Sequence, residues 1–454
     1  MRACAAAASS SLPALLARAQ EIELRALKRV QLPAHIDRQA LAHHGTREAR
    51  AADALAKSPH MPWVLNAAGT QAWLTTASHD VHATTYMFNL SSPFFGTSLG
   101  AILNDTRRVS ELTSVMRAPP EAFRIKIPAG VAPSIAHETI TESLQRTFQG
   151  AALIKLALLA GDNALRAELA RGALHALQAF QMAGVVHRDF KADNLLVMVG
   201  TTLSNDAMIE ATRFYLQMMR AQSGHAARPS VAPACIALHR AIMIRACDFG
   251  SCAAPAGQQA PAPAATEQQH LVQRILEAAA SSLHKPAPEA HVAMDHHSTP
   301  YICSRHARAP ELFLGCTRYT SSADMYAWAV LVTEIWCGAP LLLGRSDAAH
   351  LLAMMLWMGA PSAADLAALR THGLTAAAAD RVTAACAALP LALHAGPDPA
   401  ARVSVLTSKG MPHDIAQAVV AIMRWDATLR PTIAAVRAAC PSLVPGIVAP
   451  FPVR

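Results

Sequence analysis

The sequence predicts an α+β protein in which long helices outnumber short strands. Apolar residues recur at helical spacing in four segments, which are 163–182, 323–337, 346–358 and 413–424. Two short apolar runs, 195–199 and 241–246, instead have the length and composition of strands. Further helices are predicted at 205–219 and near 266–284, and a loop is predicted at 223–234, which contains two prolines.

The composition excludes several classes of protein. The chain has 454 residues, of which 52% are apolar and 15% charged, with a formal net charge of +8. This apolar fraction excludes a wholly disordered chain, and 21 glycines with 9 cysteines exclude a collagen or a disulfide scaffold. Lys155 and Glu334 interrupt the most apolar runs before they reach the ~18 residues that a membrane helix needs. We therefore expect a soluble chain with no membrane partner.

The cysteines and basic residues bear on location and partners. The cysteines are odd in number and scattered, with no CxxC pair, which favours a reducing intracellular compartment, cytoplasmic or nuclear. The first residues, rich in Ala, Ser and Arg, also resemble a transit peptide, which is the alternative. The 39 Lys and Arg residues are spread along the chain, so a nucleic-acid partner is not expected.

The strongest motif is VVHRDFKADNLLV, from Val185 to Val197, in which charged residues lie between two apolar runs. Phosphoryl transfer needs a carboxylate that orients a hydroxyl, a cation near the transferred phosphate and an oxygen ligand for Mg²⁺. Asp189, Lys191 and Asn194 supply these three groups within six positions. The motif resembles the catalytic loop of eukaryotic protein kinases, and its lysine resembles that of the Ser/Thr-specific ones.

A second motif, CDFGS, begins at Cys247. It resembles the kinase metal-binding turn, and the resemblance implies that Asp248 binds Mg²⁺ together with Asn194. The 54 positions between these two residues exceed what one hairpin needs. We therefore expect strands at 195–199 and 241–246 with residues 200–240 looped out between them.

A third motif, STPYICSRHARAPELFLG, runs from Ser298 to Gly315. It resembles the activation segment of the CMGC kinase group, closest to glycogen synthase kinase, with features of the mitogen-activated and cyclin-dependent kinases. The resemblance implies regulation by phosphorylation at Thr299 or Tyr301. Ala307 departs from the pattern, because these families usually have Tyr there.

Two supporting contacts are implied farther along the chain. Glu311 and Arg430 are expected to form a buried pair, and Asp324 is expected to hold the backbone of the catalytic loop. Ala329 stands where the family usually has glycine after that aspartate.

Two lysines compete for the role of binding the α- and β-phosphates of ATP. Lys28 with Glu48, and Lys126 with Glu138 or Glu142, both resemble the strand lysine and helix glutamate of kinases. A kinase needs roughly 60 residues between that glutamate and the catalytic aspartate. Glu142 leaves 47 positions and Glu48 leaves 141, so the spacing favours Lys28 and Glu48.

The Lys28 alternative also provides a hinge. Residues 83–92 are predicted to form an apolar strand ending in a polar turn. The resemblance implies that the backbone of Asn89, Leu90 and Ser91 binds adenine there, with Phe88 as the gatekeeper residue of the nucleotide site. The main departure is that residues 1–27 contain no glycine, although kinases cover the ATP phosphates with a glycine-rich loop before this lysine.

The resemblance implies a bilobal kinase fold with a small β-rich N-lobe, residues 1–90, and a larger helical C-lobe, residues 91–454. Residues 104–162, 200–240 and 253–297 are expected to be insertions. The implied activity is transfer of the ATP γ-phosphoryl group to Ser or Thr of protein substrates, with proline-directed sites and an upstream kinase as further expectations. The alternative is a pseudokinase that binds partners, which the missing glycines and Ala329 favour.

Overall fold

The structure is a computed structural model that describes residues 25–32, 71–80, 83–93, 95–123, 135–248, 251–252, 305–316, 318, 320–387 and 396–446. Its N-terminal part is a small antiparallel sheet, and the remainder is mostly helical with a second small sheet. The predicted α+β class, with a small β-rich part followed by a larger helical part, is confirmed.

Three strands form the N-terminal sheet: β1 (Arg25–Leu32), β2 (Gln71–Asp80) and β3 (Ala83–Pro93). The strand order is β1-β3-β2, and both pairs are antiparallel. β1 coincides with the strand predicted around Lys28. The predicted polar turn at the end of β3 is not formed, because pairing with β1 continues as far as Pro93.

The helical part begins directly after a short strand, β4 (Thr97–Ser98). The helices that precede the catalytic motif are α1 (Leu99–Leu103), α2 (Val109–Arg117), α3 (Ile135–Leu159) and α4 (Asn163–Met182). The helices after it are α5 (Asn205–Gln222), α6 (Pro233–Ala241), α7 (Pro310–Phe313), α8 (Ser321–Cys337), α9 (Asp347–Met358), α10 (Ala363–Thr371), α11 (Ala376–Ala387), α12 (Pro399–Ser408), α13 (His413–Ile422) and α14 (Ile433–Ala439).

The second sheet positions the two predicted metal ligands. β5 (Leu195–Val199) follows Asn194 directly, and β6 (Ile242–Ala246) ends two residues before Asp248. The two strands pair antiparallel, and β4 pairs with the free side of β5. As predicted, the chain leaves this hairpin between the strands, where it forms α5 and α6.

The start of α6 differs from prediction. The segment from Ser223 to Ala234 was expected to be a loop because it contains two prolines, yet α6 begins at Pro233. Proline is tolerated in the first helical turn, since its missing N–H would have no partner within the helix there. The proline therefore starts this helix.

A buried carboxylate anchors the inserted helices to α4. Asp162 is fully buried and caps α4 by accepting a hydrogen bond from the Leu165 N–H at 3.0 Å. Its Oδ2 atom also accepts from the Tyr215 hydroxyl of α5 at 2.7 Å and lies 2.8 Å from Nε2 of His239 in α6. One side chain thus connects three helices, so the insertion is packed as part of the core.

Helix α8 is the centre of the helical part. It is apolar on all sides, and every residue from Ala323 to Trp336 is buried, as expected for a helix surrounded by protein. The indole of Trp328 donates a 3.0 Å hydrogen bond to the carbonyl of Ala170 in α4. Ala329 is fully buried, so this position is within the packed interior.

Within the described ranges, no helix is long and apolar enough to cross a bilayer. The helix predicted near 266–284, the segment with Thr299 and Tyr301, and Glu48 all lie outside those ranges. The predicted division at residue 90 stays a prediction.

Candidate active site

The catalytic motif forms a loop between α4 and β5, and α8 holds its backbone. Asp324 is buried, and its two carboxylate oxygens accept hydrogen bonds from the N–H groups of His187 at 2.7 Å and Arg188 at 2.9 Å. Burial raises the pKa of Asp324, while these amides and the two nearby basic side chains act in the opposite direction. The supporting role predicted for Asp324 is confirmed.

The loop has a sharp bend at Arg188. Its φ of 66° lies in the left-handed region, which costs a residue with a side chain on the order of 1–2 kcal/mol. The bend is fixed from two sides, by Asp324 at the backbone N–H and by a hydrogen bond from the guanidinium Nε to the carbonyl of Ser251.

The His187 imidazole connects this loop to the strand that leads to Asp248. The ring is fully buried and packs edge-on against Phe180 and Phe190, with centroid separations of 4.8 and 5.8 Å. Its Nδ1 accepts from the Asp189 N–H at 3.3 Å, and its Nε2 lies 3.2 Å from the carbonyl of Cys247. With Nδ1 as an acceptor, Nε2 is the nitrogen that carries the proton.

Three of the predicted site residues converge on one carboxylate. Lys191 Nζ lies 3.0 Å from Oδ2 of Asp189, and Asn194 Nδ2 donates to the same oxygen at 3.1 Å. Asn194 Nδ2 also donates to the Asp189 carbonyl at 2.8 Å. The Asp189 and Lys191 side chains are 15% and 21% exposed, so both are fixed in place and still accessible to a substrate.

The predicted metal ligands lie at the same end of the second sheet, just outside its paired strands β5 and β6. The Cys247 N–H donates to the Asn194 carbonyl at 2.9 Å, which places Asp248 one residue beyond a direct contact with Asn194. Asp248 has a φ of 62°, a second left-handed bend at a residue other than glycine. Because Asn194 uses its Nδ2 for Asp189, its amide oxygen is the atom left for a cation.

An amide oxygen and a carboxylate suit Mg²⁺, which is bound by few protein oxygens together with phosphate oxygens and water. No group of three or more His, Cys, Asp or Glu side chains in the described part of the chain could hold a metal ion. The amide oxygen of Asn194 and the carboxylate of Asp248 are the kind of ligands that fit Mg²⁺ bound together with a nucleotide.

Two titratable residues near the loop are not predicted from the sequence to belong to the site. Glu334 of α8 is 8% exposed, and burial, reinforced by the charge of Asp193, raises its pKa to about 7. Burial and the nearby Lys191 lower the pKa of His306. The sequence gives no signal for either residue, because each comes close to the catalytic loop only in the folded chain.

The nucleotide residues predicted in the N-terminal sheet are placed only by backbone register. Lys28 lies opposite Leu90, so the predicted lysine strand and the predicted hinge strand are direct neighbours. Asn89 and Ser91 have partners in both β1 and β2. The backbone groups assigned to adenine therefore face neighbouring strands, and adenine could reach them only if this pairing opened.

The competing lysine, Lys126, lies outside the described residues. Its two candidate partners, Glu138 and Glu142, lie in α3, and Glu142 is exposed.

The predicted buried ion pair is confirmed. Arg430 donates from Nη1 and Nη2 to the two carboxylate oxygens of Glu311 at 2.8 and 2.7 Å, with side chains that are 0% and 1% exposed. The guanidinium also lies 5.2 Å from the ring centre of Tyr326. This pair connects the end of the activation-segment motif to the distal helices.

The chain is similar to protein kinases. It is 42% identical over 62 residues to protein kinase gsk31 of Schizosaccharomyces pombe, a match that covers 14% of this chain and 16% of that protein. It is 36% identical over 76 residues to the probable serine/threonine-protein kinase glkA of Dictyostelium discoideum, a match that covers 17% of this chain and 16% of that protein. The chain thus spans about a sixth of the length of these relatives.

No family model matches the chain. Among solved structures, it aligns with a chain of the yeast RNA Pol II CTD kinase CTDK-1 complex at a TM-score of 0.46 and 12% identity, over 92% of this chain and 84% of that one. The two sequence relatives confirm the resemblance to protein kinases that the motifs predict.

Proposed function

We propose that this chain is a Ser/Thr protein kinase that transfers the γ-phosphoryl group of ATP to protein hydroxyls. The observation that carries the proposal is the convergence of Lys191 and Asn194 on the Asp189 carboxylate, within a loop that Asp324 holds. The kinase names of the two relatives support it.

Each residue of the cluster has a distinct role in this proposal. Asp189 orients the substrate hydroxyl and accepts its proton, and Lys191 stabilises the negative charge on the transferred phosphoryl group. Asn194 and Asp248 hold Mg²⁺, which when bound offsets the charge of the phosphate oxygens. Because Lys191 and Asn194 already contact Asp189, little rearrangement is needed before substrate binds.

The remaining nucleotide contacts are proposed in the N-terminal sheet. Lys28 holds the α- and β-phosphates and pairs with Glu48. Adenine binds the backbone of Asn89, Leu90 and Ser91 at the hinge end of β3, with Phe88 as the gatekeeper residue, after the strand pairing at this end has opened. The pairing of Lys28 with Leu90 in the sheet supports the choice of this lysine, since it places the lysine strand beside the hinge strand.

Regulation and location are proposed from the sequence motifs. Phosphorylation of Thr299 or Tyr301, by an upstream kinase or by the chain itself, orders the activation segment, and the CMGC-like motif suggests proline-directed substrates. We also propose an intracellular location, cytoplasmic or nuclear. The scattered cysteines, odd in number and without a CxxC pair, support a reducing compartment.

The test is phosphate incorporation by the full-length chain with Mg-ATP and a generic basic protein substrate. We expect incorporation, and we expect Asp189→Asn to lower it by about a hundredfold or more, because the proton acceptor is lost. Asp206→Asn, an exposed carboxylate in the first turn of α5, is the matched control and should leave the rate unchanged. Incorporation that is unaffected by Asp189→Asn would contradict the assignment.

The alternative, a pseudokinase that acts as a binding protein, is favoured by the absence of glycine from residues 1–27. The same assay separates the two functions when it is paired with binding of a fluorescent ATP analogue. Analogue binding without any incorporation, under conditions in which a control kinase is active, would support the pseudokinase.

A further inference from the structure

A groove lies between α2, α3 and α5, in the two insertions predicted at 104–162 and 200–240. It encloses a volume of about 480 Å³. None of the catalytic or metal-binding residues lines it. The groove is thus a feature of the inserted segments and is separate from the candidate active site.

The groove has an apolar floor and fixed walls. Met116 and Met208 are 6% and 1% exposed at its base, while Ile209 on the wall is 42% exposed. Gln149 of α3 donates a 3.2 Å hydrogen bond to the carbonyl of Met116, which holds the last turn of α2 against α3. A volume of this size with an apolar floor is sufficient to accept side chains of a bound segment.

The charge at the rim is positive. Arg117 of α2 and Arg213 of α5 line the groove and are exposed, and no Asp or Glu is among the described residues that line it. Among the residues that the structure describes, neither guanidinium has an ion-pair or hydrogen-bond partner. Exposed arginines beside exposed apolar surface are complementary to carboxylates beside apolar side chains.

We propose that this groove binds a short acidic segment of a partner protein, with apolar side chains against Ile209 and the methionines, and carboxylates paired with Arg117 and Arg213. An amphipathic peptide in an apolar groove is a common mode of recognition. The proposal does not depend on phosphoryl transfer, since it concerns a surface away from Asp189.

The experiment selects ligands from a displayed library of random 12-residue peptides on the full-length protein. Enriched peptides are then synthesised, labelled and measured by fluorescence anisotropy. We expect enrichment of Asp or Glu next to Leu, Ile, Met or Phe. The double variant Arg117→Glu/Arg213→Glu should weaken their binding by about tenfold or more, and the same peptides with Lys in place of the acids should bind this variant better than wild type.

The matched control is Arg220→Glu/Arg240→Glu, which changes the net charge equally at two exposed arginines outside the groove. It should leave peptide affinity within about twofold, because exposed charges at a distance are largely screened. If circular dichroism shows Arg117→Glu/Arg213→Glu to be unfolded, the milder variant Arg117→Gln/Arg213→Gln is used in its place. The proposal is overturned if acidic peptides are not enriched, or if the groove variants and the control reversal have the same effect.

Discussion

Oδ2 of Asp324 accepts a hydrogen bond from the backbone N–H of His187 at 2.7 Å, although 137 positions separate the two residues. The contact fixes the catalytic loop to α8, in which every residue from Ala323 to Trp336 is buried. An isolated carboxylate at this depth would be costly, but two backbone N–H groups satisfy it. The position of Asp189 therefore depends on a residue that does not itself touch a substrate.

We predict that Asp324→Asn lowers both stability and activity. The amide presents an NH₂ group to one of two N–H donors, which removes a hydrogen bond and leaves a buried donor without an acceptor. The free energy of unfolding should fall by about 1–3 kcal/mol, measured by urea denaturation. Asp380→Asn, at a side chain that is 77% exposed, should leave the denaturation midpoint unchanged. An unaltered midpoint for Asp324→Asn would contradict the role described here.

Because the Arg430–Glu311 pair is buried, we predict that removing either partner alone strongly lowers the stability of the protein. Arg430→Ala should lower the free energy of unfolding by about 3–5 kcal/mol, because Glu311 is then a buried charge without a partner. The double variant Glu311→Leu/Arg430→Met should recover much of this loss, since it removes both charges.

Urea denaturation also checks the Arg430 prediction. Arg370→Ala is the control, because Arg370 pairs with Asp380 at the surface and such pairs contribute little. If Arg430→Ala were no more destabilising than Arg370→Ala, the buried pair would not have the importance assigned to it.

Glu334 predicts a dependence of stability on pH. Its pKa of about 7 in the folded protein is above the ordinary value of a glutamate, so folding favours the protonated form. The contribution of the protonated Glu334 side chain to the free energy of unfolding is fully present below about pH 4.3. It is lost as the pH rises through 7. Glu334→Gln, which stays neutral, should therefore be more stable than wild type at pH 8 by up to about 3 kcal/mol, with no gain at pH 4.

The measurement is the unfolding free energy of the Glu334→Gln variant and wild type at several pH values between 4 and 8. Glu142→Gln, on the exposed side of α3, is the control and should follow wild type throughout. A gain from Glu334→Gln that is equal at pH 4 and pH 8 would show that charge is not its cause.

Much of the helical part could be predicted from the sequence. The bounds of α4 and β5 coincide with their predictions, because each is a long periodic or short apolar segment with clear ends. The pairing of Glu311 with Arg430 was also predictable, since the motifs that contain them are specific. A specific motif thus allows a contact to be predicted even between residues that are far apart in the sequence.

Other features depend on packing that the sequence does not display. Pro233 indicated a loop although it starts a helix, and the end of β3 was predicted as a turn although it remains paired. The Asp162 network with Tyr215 and His239 joins three helices by side chains that have no common motif. Such contacts are set by tertiary structure, which overrides local preference.

Two glycines in the segment after the N-terminal sheet let the chain approach the catalytic loop closely. A Cβ atom at Gly100 of α1 would lie 2.1 Å from a carboxylate oxygen of Asp193, and one at Gly96 would lie 2.1 Å from the Val197 carbonyl. Any side chain at Gly96 would therefore push this segment away from β5. A side chain at Gly100 would displace Asp193 and, with it, the turn between Lys191 and Asn194 that the candidate site depends on.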